Sequence, residues 1–366
     1  MQQKTYIIAE AGVNHNGSVE LARKLIEEAA RAGADAVKFQ TFRAETVAVN
    51  VAPKAAYQME TTDGSESQLD MLKRLELPVE SYKELIDLCR QKKIDFLSTP
   101  GDVDSLHFLT DICDLPTIKI GSTGVTCSAF LIEIGRTGKK AILSTGMSTL
   151  GDIELALGSL AYGYMQWDKI PKSECDLLSA YAEAQVMGVL RDKVRLMHCT
   201  TEYPAPFDEV NLTAMDTLRN SFGLQVGYSD HTPGIAVALA AIAKGATMIE
   251  KHFTLDKTLP GPDHKASIEP EELKNMVTGI RQIEKALGNG LKMPSPQERK
   301  NIPIVRMSLV AKCAIKKGDT FTAENLVAKR PGTGLSPMRY WDFLGRKADR
   351  DYKQDDFIRG GLPEGE

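Results

Sequence analysis

Short apolar runs that end in polar residues recur along the first three-quarters of the chain. In chain order they are YIIAEAGVNHNG, AVKFQTF, DFLSTP, TIKIGS, AILSTG, RLMHCTTEYP, LQVGYSDH and TMIEKHF. Segments with helical spacing of apolar residues separate them, such as SVELARKLIEEAARAG, which has Ser18 as a predicted N-cap and Gly33 as a stop. This alternation predicts a (β/α)8 barrel. Because such barrels carry their chemistry at the C-terminal ends of the strands, the polar tails form the predicted active-site rim.

Two segments are longer than a simple strand–helix repeat requires. Residues 43–68 contain Pro53 and the polar run TTDGSESQ, and we expect an irregular loop there, on the reactive face of the barrel. Residues 161–185, which include Trp167, lie between the fifth and sixth strands. We expect them to form an additional helix or excursion that packs on the surface without a catalytic role.

The composition of the chain changes near its end. Residues 1–287 are assigned to the barrel, and residues 288–303, rich in proline, glycine and charge, are interpreted as a linker. Residues 304–366 contain the short β-like runs SLVAKCAI and NLVAKR and predict a small, mostly β domain. A domain of this size has little core of its own, so we expect it to dock on another surface, such as a partner subunit.

Charge and composition exclude several classes of protein. The net charge of −4 and the pI of about 6.0 offer no basic field for nucleic acid or an anionic membrane. No apolar stretch approaches the ~18 residues of a membrane span. The chain shows no signal peptide after MQQKT, and its six cysteines are scattered without a CxxC pair. We therefore expect a cytoplasmic protein with reduced thiols.

Two lysines stand within the strand-like runs. Lys38 and Lys119 are flanked by apolar residues, and the hydroxyls of Thr99, Ser122 and Ser144 lie at nearby strand ends. Cations and hydroxyl donors in a pocket poor in water suit an anion such as a phosphorylated enol acid. The alternative is that each hydroxyl caps a helix and each lysine stays solvated.

Two histidines end consecutive strands. His231 and His252 should be neighbours in space, with Asp230 and Glu250 nearby. This arrangement suggests a divalent metal with open coordination positions, and Mn²⁺ or Mg²⁺ fits better than a closed zinc site. The alternative is a pair of structural histidines that act only in hydrogen bonds.

The longer motifs resemble those of the bacterial sialic acid synthase family. They are AEAGVNHNG, AVKFQTF, STP, IKIGS, ILSTGM, HCTTEYPAP, GYSDHT, EKHFTLDK and GPDHKAS. The tail VAKCAIKKGDTFTAENLVAKRPGTG resembles the antifreeze-like (SAF) domain of that family. The resemblance implies an enzyme that condenses phosphoenolpyruvate with an open-chain N-acylated mannosamine-type sugar to give a nonulosonic acid and phosphate.

Within the family, three motifs look closest to legionaminic acid synthases: VAPKAAYQ, ESQLDMLKRLEL and MRYWDFLGRKA. The favoured acceptor is therefore 2,4-diacetamido-2,4,6-trideoxymannose. The alternatives are an N-acetylneuraminate synthase that uses N-acetylmannosamine, another phosphoenolpyruvate condensation with a phosphorylated acceptor, and a non-catalytic binding homologue.

The resemblance also implies roles for single residues. Those matching the phosphoenolpyruvate site are Lys38, Thr99, Lys119, Ser122, Ser144 and Ser229, and those matching the Mn²⁺ ligands are His231 and His252. Residues around the sugar are Glu10, Gln40, Tyr203 and Asp263, with Arg330 supplied by the SAF domain of the other subunit in a domain-swapped dimer. The catalytic groups implied are Glu10, which would handle a proton, and the two lysines.

Three positions depart from the family pattern. Thr123 and Gly124 stand where the family has Gly-Glu, and Gly101 stands where it has an aromatic residue. The departures lie around the sugar, so they bear on the acceptor more than on the class of reaction.

Overall fold

The first of two units in the computed structural model, Met1–Asn289, is built around a parallel sheet. The structure describes residues 4–49, 52–62, 66–166 and 168–360. The strands are β1 (Tyr6–Gly12), β2 (Ala36–Thr41), β3 (Asp95–Pro100), β4 (Thr117–Ile120), β5 (Lys140–Ser144), β6 (Val194–Cys199), β7 (Gln225–Asp230) and β8 (Met248–His252). They follow the order β3-β2-β1-β8-β7-β6-β5-β4, and β3 lies against β4, which closes a barrel. The predicted (β/α)8 fold is confirmed.

Helices connect the strands. They are α1 (Val19–Ala32), α2 (Ala44–Val47), α3 (Ala56–Thr61), α4 (Gln68–Leu75), α5 (Ser81–Lys92), α6 (Val103–His107), α7 (Ser128–Arg136), α8 (Leu150–Met165), α9 (Glu174–Ala182), α10 (Val186–Lys193), α11 (Ala214–Phe222), α12 (Ala236–Ala243) and α13 (Pro270–Leu287). Several of them, including α1, α5, α10, α11 and α12, contact the strands of the barrel directly. Ser18 caps α1 by accepting from the backbone N–H of Leu21, and Gly33 ends it with a φ of 86°. No helix in the described ranges has the length and apolar character needed to cross a membrane.

The inside of the barrel consists of an apolar layer below a polar one. The apolar layer is formed by Tyr6, Ile8, Ala36, Leu97, Ile142, Met197 and Met248. Since side chains alternate along a strand, the residue two positions further on points the same way. Those residues include Glu10, Lys38, Thr99, Ser144, Cys199 and Glu250. The apolar layer therefore closes the floor of the barrel, and the strand ends above it carry the polar side chains of the candidate site.

The expected irregular loop over 43–68 contains short helices. α2 and α3 lie within this stretch, and α4 begins at its end, where Ser67 accepts a hydrogen bond from the backbone N–H of Asp70. The prediction of an irregular loop is therefore wrong for these parts. Residues 50–51 and 63–65 lie outside the described residues.

An additional helix occupies much of 161–185. α8 continues to Met165, and α9 packs on α7 and α8 through a cluster of Ile132, Tyr162, Leu177 and Ala180. Trp167 lies outside the described residues.

The second unit, Gly290–Glu366, has its own small core. Its elements are α14 (Pro296–Val305), the antiparallel strands β9 (Ser308–Ala311) and β10 (Leu326–Lys329), and α15 (Tyr340–Phe343). The core includes Leu309, Phe321 and Tyr352. It is larger than expected from the length of the segment, because isolated β-bridges such as Ile315 to Tyr352 bring the irregular chain around it.

The predicted linker 288–303 includes most of α14. Ser295 caps this helix, and the Glu298 side chain accepts from the backbone N–H of Ser295, which completes a capping box. Proline at the first helical position favours the same start. Proline and charge content alone do not indicate this helix, whereas the capping residues do.

Helices α7 and α8 approach closely at two glycines, which gives a test of the outer packing. A Cβ at Gly163 would lie 2.3 Å from the carbonyl oxygen of Ile132 and 2.9 Å from Cα of Gly135. We expect Gly163→Ala to lower the free energy of unfolding by about 1–3 kcal/mol, because the helices must separate. Urea denaturation followed by circular dichroism measures this.

The matched control is Gly188→Ala in α10, where a Cβ meets nothing within 4 Å. It should leave stability unchanged or raise it by up to about 1 kcal/mol, since alanine favours helix more than glycine does. Equal losses in the two variants would contradict the close packing of α7 on α8.

Candidate active site

Lys38 is a buried cation in the polar layer of the barrel. Its Nζ lies 2.8 Å from Oε1 of Glu10 and donates a 3.1 Å hydrogen bond to Oγ1 of Thr99. The strand register causes this contact, because Glu10 on β1 pairs directly with Lys38 on β2. Glu10, Lys38 and Thr99 are thus brought together, as the sequence predicts.

Lys119 on β4 is the second buried cation. Its Nζ donates a 2.8 Å hydrogen bond to Oγ of Ser144 and lies 3.5 Å from Oε1 of Glu250. Oε2 of Glu250 lies 3.7 Å from Nζ of Lys38, and Oε1 accepts a 2.9 Å hydrogen bond from Ser229. Glu250 therefore joins both lysines into one group, which we call the lysine cluster: Glu10, Lys38, Thr99, Lys119, Ser144, Ser229 and Glu250.

The two carboxyl groups of the lysine cluster differ in protonation. Burial raises the pKa of Glu10 to about 7, against the opposing effect of Lys38. Glu250 is also buried, but Lys119 and Lys38 outweigh the burial and lower its pKa to about 2. Burial lowers the pKa of Lys119, whereas at Lys38 the two carboxylates overcome burial and raise the pKa. At neutral pH one ionised carboxylate and one partly ionised carboxyl group thus face two lysines, which favours an added anion.

His231 and His252 lie side by side at the ends of β7 and β8, with ring centroids 5.4 Å apart. Nδ1 of His231 lies 2.6 Å from the backbone carbonyl of Thr200, so it carries the proton and leaves Nε2 as an acceptor. Nδ1 of His252 is buried without a hydrogen-bond partner. Burial lowers the pKa of His231 to about 4 and that of His252 well below its ordinary value. Both rings are therefore neutral and could serve as metal ligands.

Further protein ligands for a metal are scarce. Across the parts of the chain that the structure describes, no group of three or more His, Cys, Asp or Glu side chains could hold an ion. Oδ2 of Asp263 is 3.8 Å from Nδ1 of His252, and the ring of Tyr203 covers His231 at 4.1 Å between centroids. An ion on the two histidines would take its other ligands from substrate or water.

Three of the residues predicted around the sugar converge on Gly12, the last residue of β1. A Cβ at Gly12 would lie 3.3 Å from Oε1 of Glu10, 3.5 Å from Nε2 of Gln40 and 3.6 Å from Oδ2 of Asp263. The strand bulges between Glu10 and Gly12, and Gly12 has a φ of 52°. Burial raises the pKa of Asp263 to about 6. Glu10 connects this group to Lys38 in the lysine cluster, and Asp263 connects it to His252.

Ser122 lies at the edge of the same region. Its Oγ is 3.2 Å from Sγ of Cys199 and accepts a hydrogen bond from the backbone N–H of Gly146. Arg330 belongs to the second unit, where it is exposed directly after β10. Its placement over a barrel stays a prediction.

A second buried ion pair lies behind the histidines. Nζ of Lys251 is 2.9 Å from Oδ2 of Asp230, and both side chains are 0% exposed. Lys251 also donates to the carbonyl oxygen of Thr232, whose N–H and hydroxyl donate to Asp230. These bonds fix the strand ends on which His231 and His252 stand.

The sequence did not assign Glu250 to the anion site, although it stands two positions before His252 and on the same face of β8. That spacing was the available signal. The bridging position of Glu250 between two lysines follows only from the order of β4, β8 and β2 around the barrel.

Comparison with known proteins gives a consistent result. Residues 25–292 match the NeuB family, and residues 306–361 match the SAF domain. The N,N'-diacetyllegionaminic acid synthase of Campylobacter jejuni subsp. jejuni serotype O:2 is 52% identical over 357 residues, covering 98% of this chain and 99% of that protein. The synthase of the same name from Legionella pneumophila is 41% identical over 342 residues, covering 93% and 90%.

Solved structures agree with this assignment. The N-acetylneuraminic acid (sialic acid) synthetase from Leptospira borgpetersenii serovar Hardjo-bovis, crystallised with citrate, superposes with a TM-score of 0.65. It is 31% identical, and the match covers 82% of this chain and 91% of that one. This chain therefore belongs to the NeuB family and carries a SAF domain at its C-terminal end.

Proposed function

We propose that this protein condenses phosphoenolpyruvate with 2,4-diacetamido-2,4,6-trideoxymannose to give N,N'-diacetyllegionaminic acid and phosphate. It is a nonulosonic acid synthase, in keeping with relatives that are named as synthases of legionaminic and pseudaminic acids. The lysine cluster is the single observation that best supports a catalytic function. A homologue that only binds sugar would not need two buried ammonium groups beside two neutral histidines.

The lysine cluster suits phosphoenolpyruvate by charge. Lys38 and Lys119 are balanced by Glu250 alone when Glu10 is protonated. A carboxylate and a phosphate bring the missing negative charge, and the hydroxyls of Thr99 and Ser144 already point at the ammonium groups. Binding of the substrate thus replaces water with fixed donors at the place where charge develops.

The reaction forms one carbon–carbon bond and one carbon–oxygen bond to water, and it breaks the carbon–oxygen bond to phosphate. The methylene carbon of phosphoenolpyruvate attacks the aldehyde carbon of the open-chain sugar, and water adds to the carbon that bears the phosphate. Phosphate then leaves with its bridging oxygen. The oxygen of the water becomes the new keto oxygen, and its two protons end on the new hydroxyl and on phosphate. The lysines hold the enol in place for this attack.

Glu10 is the group that moves a proton. Its pKa of about 7 lies near neutral pH, so it both accepts and donates a proton readily. It lies between Lys38 and the side chains of Gln40 and Asp263, where the enol and the aldehyde meet in this proposal.

His231 and His252 would hold Mn²⁺ or Mg²⁺. The fit rests on two neutral rings 5.4 Å apart and on the unpartnered buried Nδ1 of His252. A bound divalent ion supplies Lewis acidity, which polarises a carbonyl oxygen. We further propose a cytoplasmic location, supported by six free cysteines.

A panel of acceptors tests the proposed reaction. We expect phosphate release with Mn²⁺ to show the highest kcat/KM for 2,4-diacetamido-2,4,6-trideoxymannose, with a product whose mass equals that of N,N'-diacetyllegionaminic acid. Lys119→Met is the control for background hydrolysis. Preference for N-acetylmannosamine would identify an N-acetylneuraminate synthase instead. Preference for a phosphorylated sugar would contradict the proposed class of acceptor, and binding without turnover would contradict the proposed enzymatic activity.

Removal of metal tests the histidine pair. We expect a chelator to abolish turnover and Mn²⁺ to restore it. His231→Ala should weaken Mn²⁺ binding by more than about 100-fold in calorimetry, because a direct ligand is lost. His107→Ala is the control, since that histidine is exposed on α6. Unchanged Mn²⁺ binding in His231→Ala would show that the metal assignment is wrong.

A domain-swapped homodimer is part of the proposal, and mixed dimers test it. Lys119→Met removes a proposed phosphoenolpyruvate-binding lysine from the barrel, and Arg330→Ala removes the arginine that the SAF domain is proposed to supply. If the tail of one subunit completes the barrel of the other, a heterodimer of the two variants has one intact site and recovers activity that neither homodimer shows at low sugar concentration. A purified heterodimer that stays as inactive as its parents would exclude the swap.

A further inference from the structure

Cys199 is a buried thiol beside the lysine cluster, and the proposed reaction gives it no part. It is the last residue of β6, it is 5% exposed, and its strand partner on β7 is Ser229. It stands two positions after Met197, which belongs to the apolar floor, so its side chain lies in the polar layer. Buried cysteines commonly serve only as small apolar residues, so the contacts of this thiol decide whether it does more.

The thiol contacts Ser122, a predicted ligand of phosphoenolpyruvate. Sγ of Cys199 lies 3.2 Å from Oγ of Ser122, and either atom can donate. The same oxygen accepts a 3.1 Å hydrogen bond from the backbone N–H of Gly146. A serine hydroxyl has one proton and two acceptor positions. When the thiol donates as well, both acceptor positions of Ser122 are filled, and its proton is left for a third partner.

Gly146 brings the turn after β5 close to both side chains. A Cβ at Gly146 would lie 2.8 Å from Oγ of Ser122 and 3.1 Å from Sγ of Cys199. Gly146 does not have a positive φ, so this position requires small size and not an unusual backbone conformation. The backbone of the turn therefore holds the serine and the cysteine against each other.

The thiol keeps its proton at this position. Burial raises the pKa of Cys199, against the opposing effects of Ser122 and Lys119. A neutral thiol adds no negative charge beside Lys119, so it does not compete with an anion for the lysine cluster. A thiol is also a weak acceptor, so a Ser122 proton shared with it is released to a charged ligand at small cost.

We propose that Cys199 is a positioning residue for phosphoenolpyruvate, which fills an acceptor position of Ser122 so that the serine proton turns to the substrate. The inference rests on the proposed function, in which Ser122 contacts phosphoenolpyruvate. Without the thiol, the Ser122 hydroxyl is held only by the N–H of Gly146 and can turn away from the anion. A hydrogen bond of this kind corresponds to roughly three- to tenfold in affinity.

The affinity for phosphoenolpyruvate tests the inference, measured by isothermal titration calorimetry with Mn²⁺ and without sugar. The variants are Cys199→Ala, Cys199→Ser, Ser122→Ala and the double variant of Cys199→Ala with Ser122→Ala. Cys89→Ala is the matched control, because Cys89 is also buried but lies on α5. If Cys199→Ala does not fold, Cys199→Val takes its place, since valine fills the space without a thiol. Thermal unfolding, kcat and KM for both substrates are recorded for each variant.

We expect Cys199→Ala to weaken binding of phosphoenolpyruvate about three- to tenfold. Both kcat and KM for the sugar should change by less than about twofold, because the lost contact serves only the binding of phosphoenolpyruvate. Cys199→Ser should lie nearer to wild type, since a hydroxyl also donates. In the Ser122→Ala background the cysteine substitution should have no further effect, because the thiol acts through that one hydroxyl. The control should bind like wild type.

An equal loss from Cys199→Ala with and without the Ser122 hydroxyl would overturn the inference, because the thiol would then act only by filling space. Unchanged affinity in Cys199→Ala or in Ser122→Ala would also overturn it, as would a Cys199→Ser variant as weak as Cys199→Ala. Failure of the wild-type protein to bind phosphoenolpyruvate, or to release phosphate from it, would instead overturn the proposed function, so the two failures are distinguishable.

Discussion

The site depends on Glu250, a single carboxylate held between two buried ammonium groups. A lysine without a partner in the interior of a barrel would lose its proton or unfold the site, because the charged form is costly away from water. Glu250 lies 3.7 Å from Nζ of Lys38 and 3.5 Å from Nζ of Lys119, and Glu10 adds a closer contact of 2.8 Å to Lys38. Glu250 is ionised and Glu10 has a pKa of about 7, so the two carboxyl groups do not fully neutralise the two lysines at neutral pH, and this imbalance favours binding of an anion at the barrel mouth.

The barrel holds these charged groups in place. Because side chains alternate along each strand, the apolar residues form the floor, and the charged and hydroxyl residues lie two positions above them. The register of the strands therefore determines both layers. His231 and His252 stand further along β7 and β8, anchored from behind by the Lys251–Asp230 pair. The buried Lys251–Asp230 pair therefore contributes to the site indirectly, by positioning the imidazoles of His231 and His252.

The sequence predicted the barrel, the strand-end lysines and the histidine pair because each leaves a local pattern. It did not predict that Glu250 bridges both lysines, because that contact joins three strands that are distant in the chain. The convergence of Glu10, Gln40 and Asp263 on Gly12 likewise requires a bulge that composition does not show. The start of α14 is different, because Ser295, Pro296 and Glu298 form a capping signal that is local in the sequence.

The proposed reaction requires that phosphoenolpyruvate binds at the lysine cluster inside the barrel mouth. A crystal structure of the protein with phosphoenolpyruvate tests it most directly. We expect the phosphate and the carboxylate each to lie within hydrogen-bond distance of Lys38 or Lys119, with the hydroxyls of Thr99 and Ser144 turned towards the ligand. Phosphoenolpyruvate bound elsewhere, with Lys38 and Lys119 still paired only to Glu10 and Glu250, would contradict it.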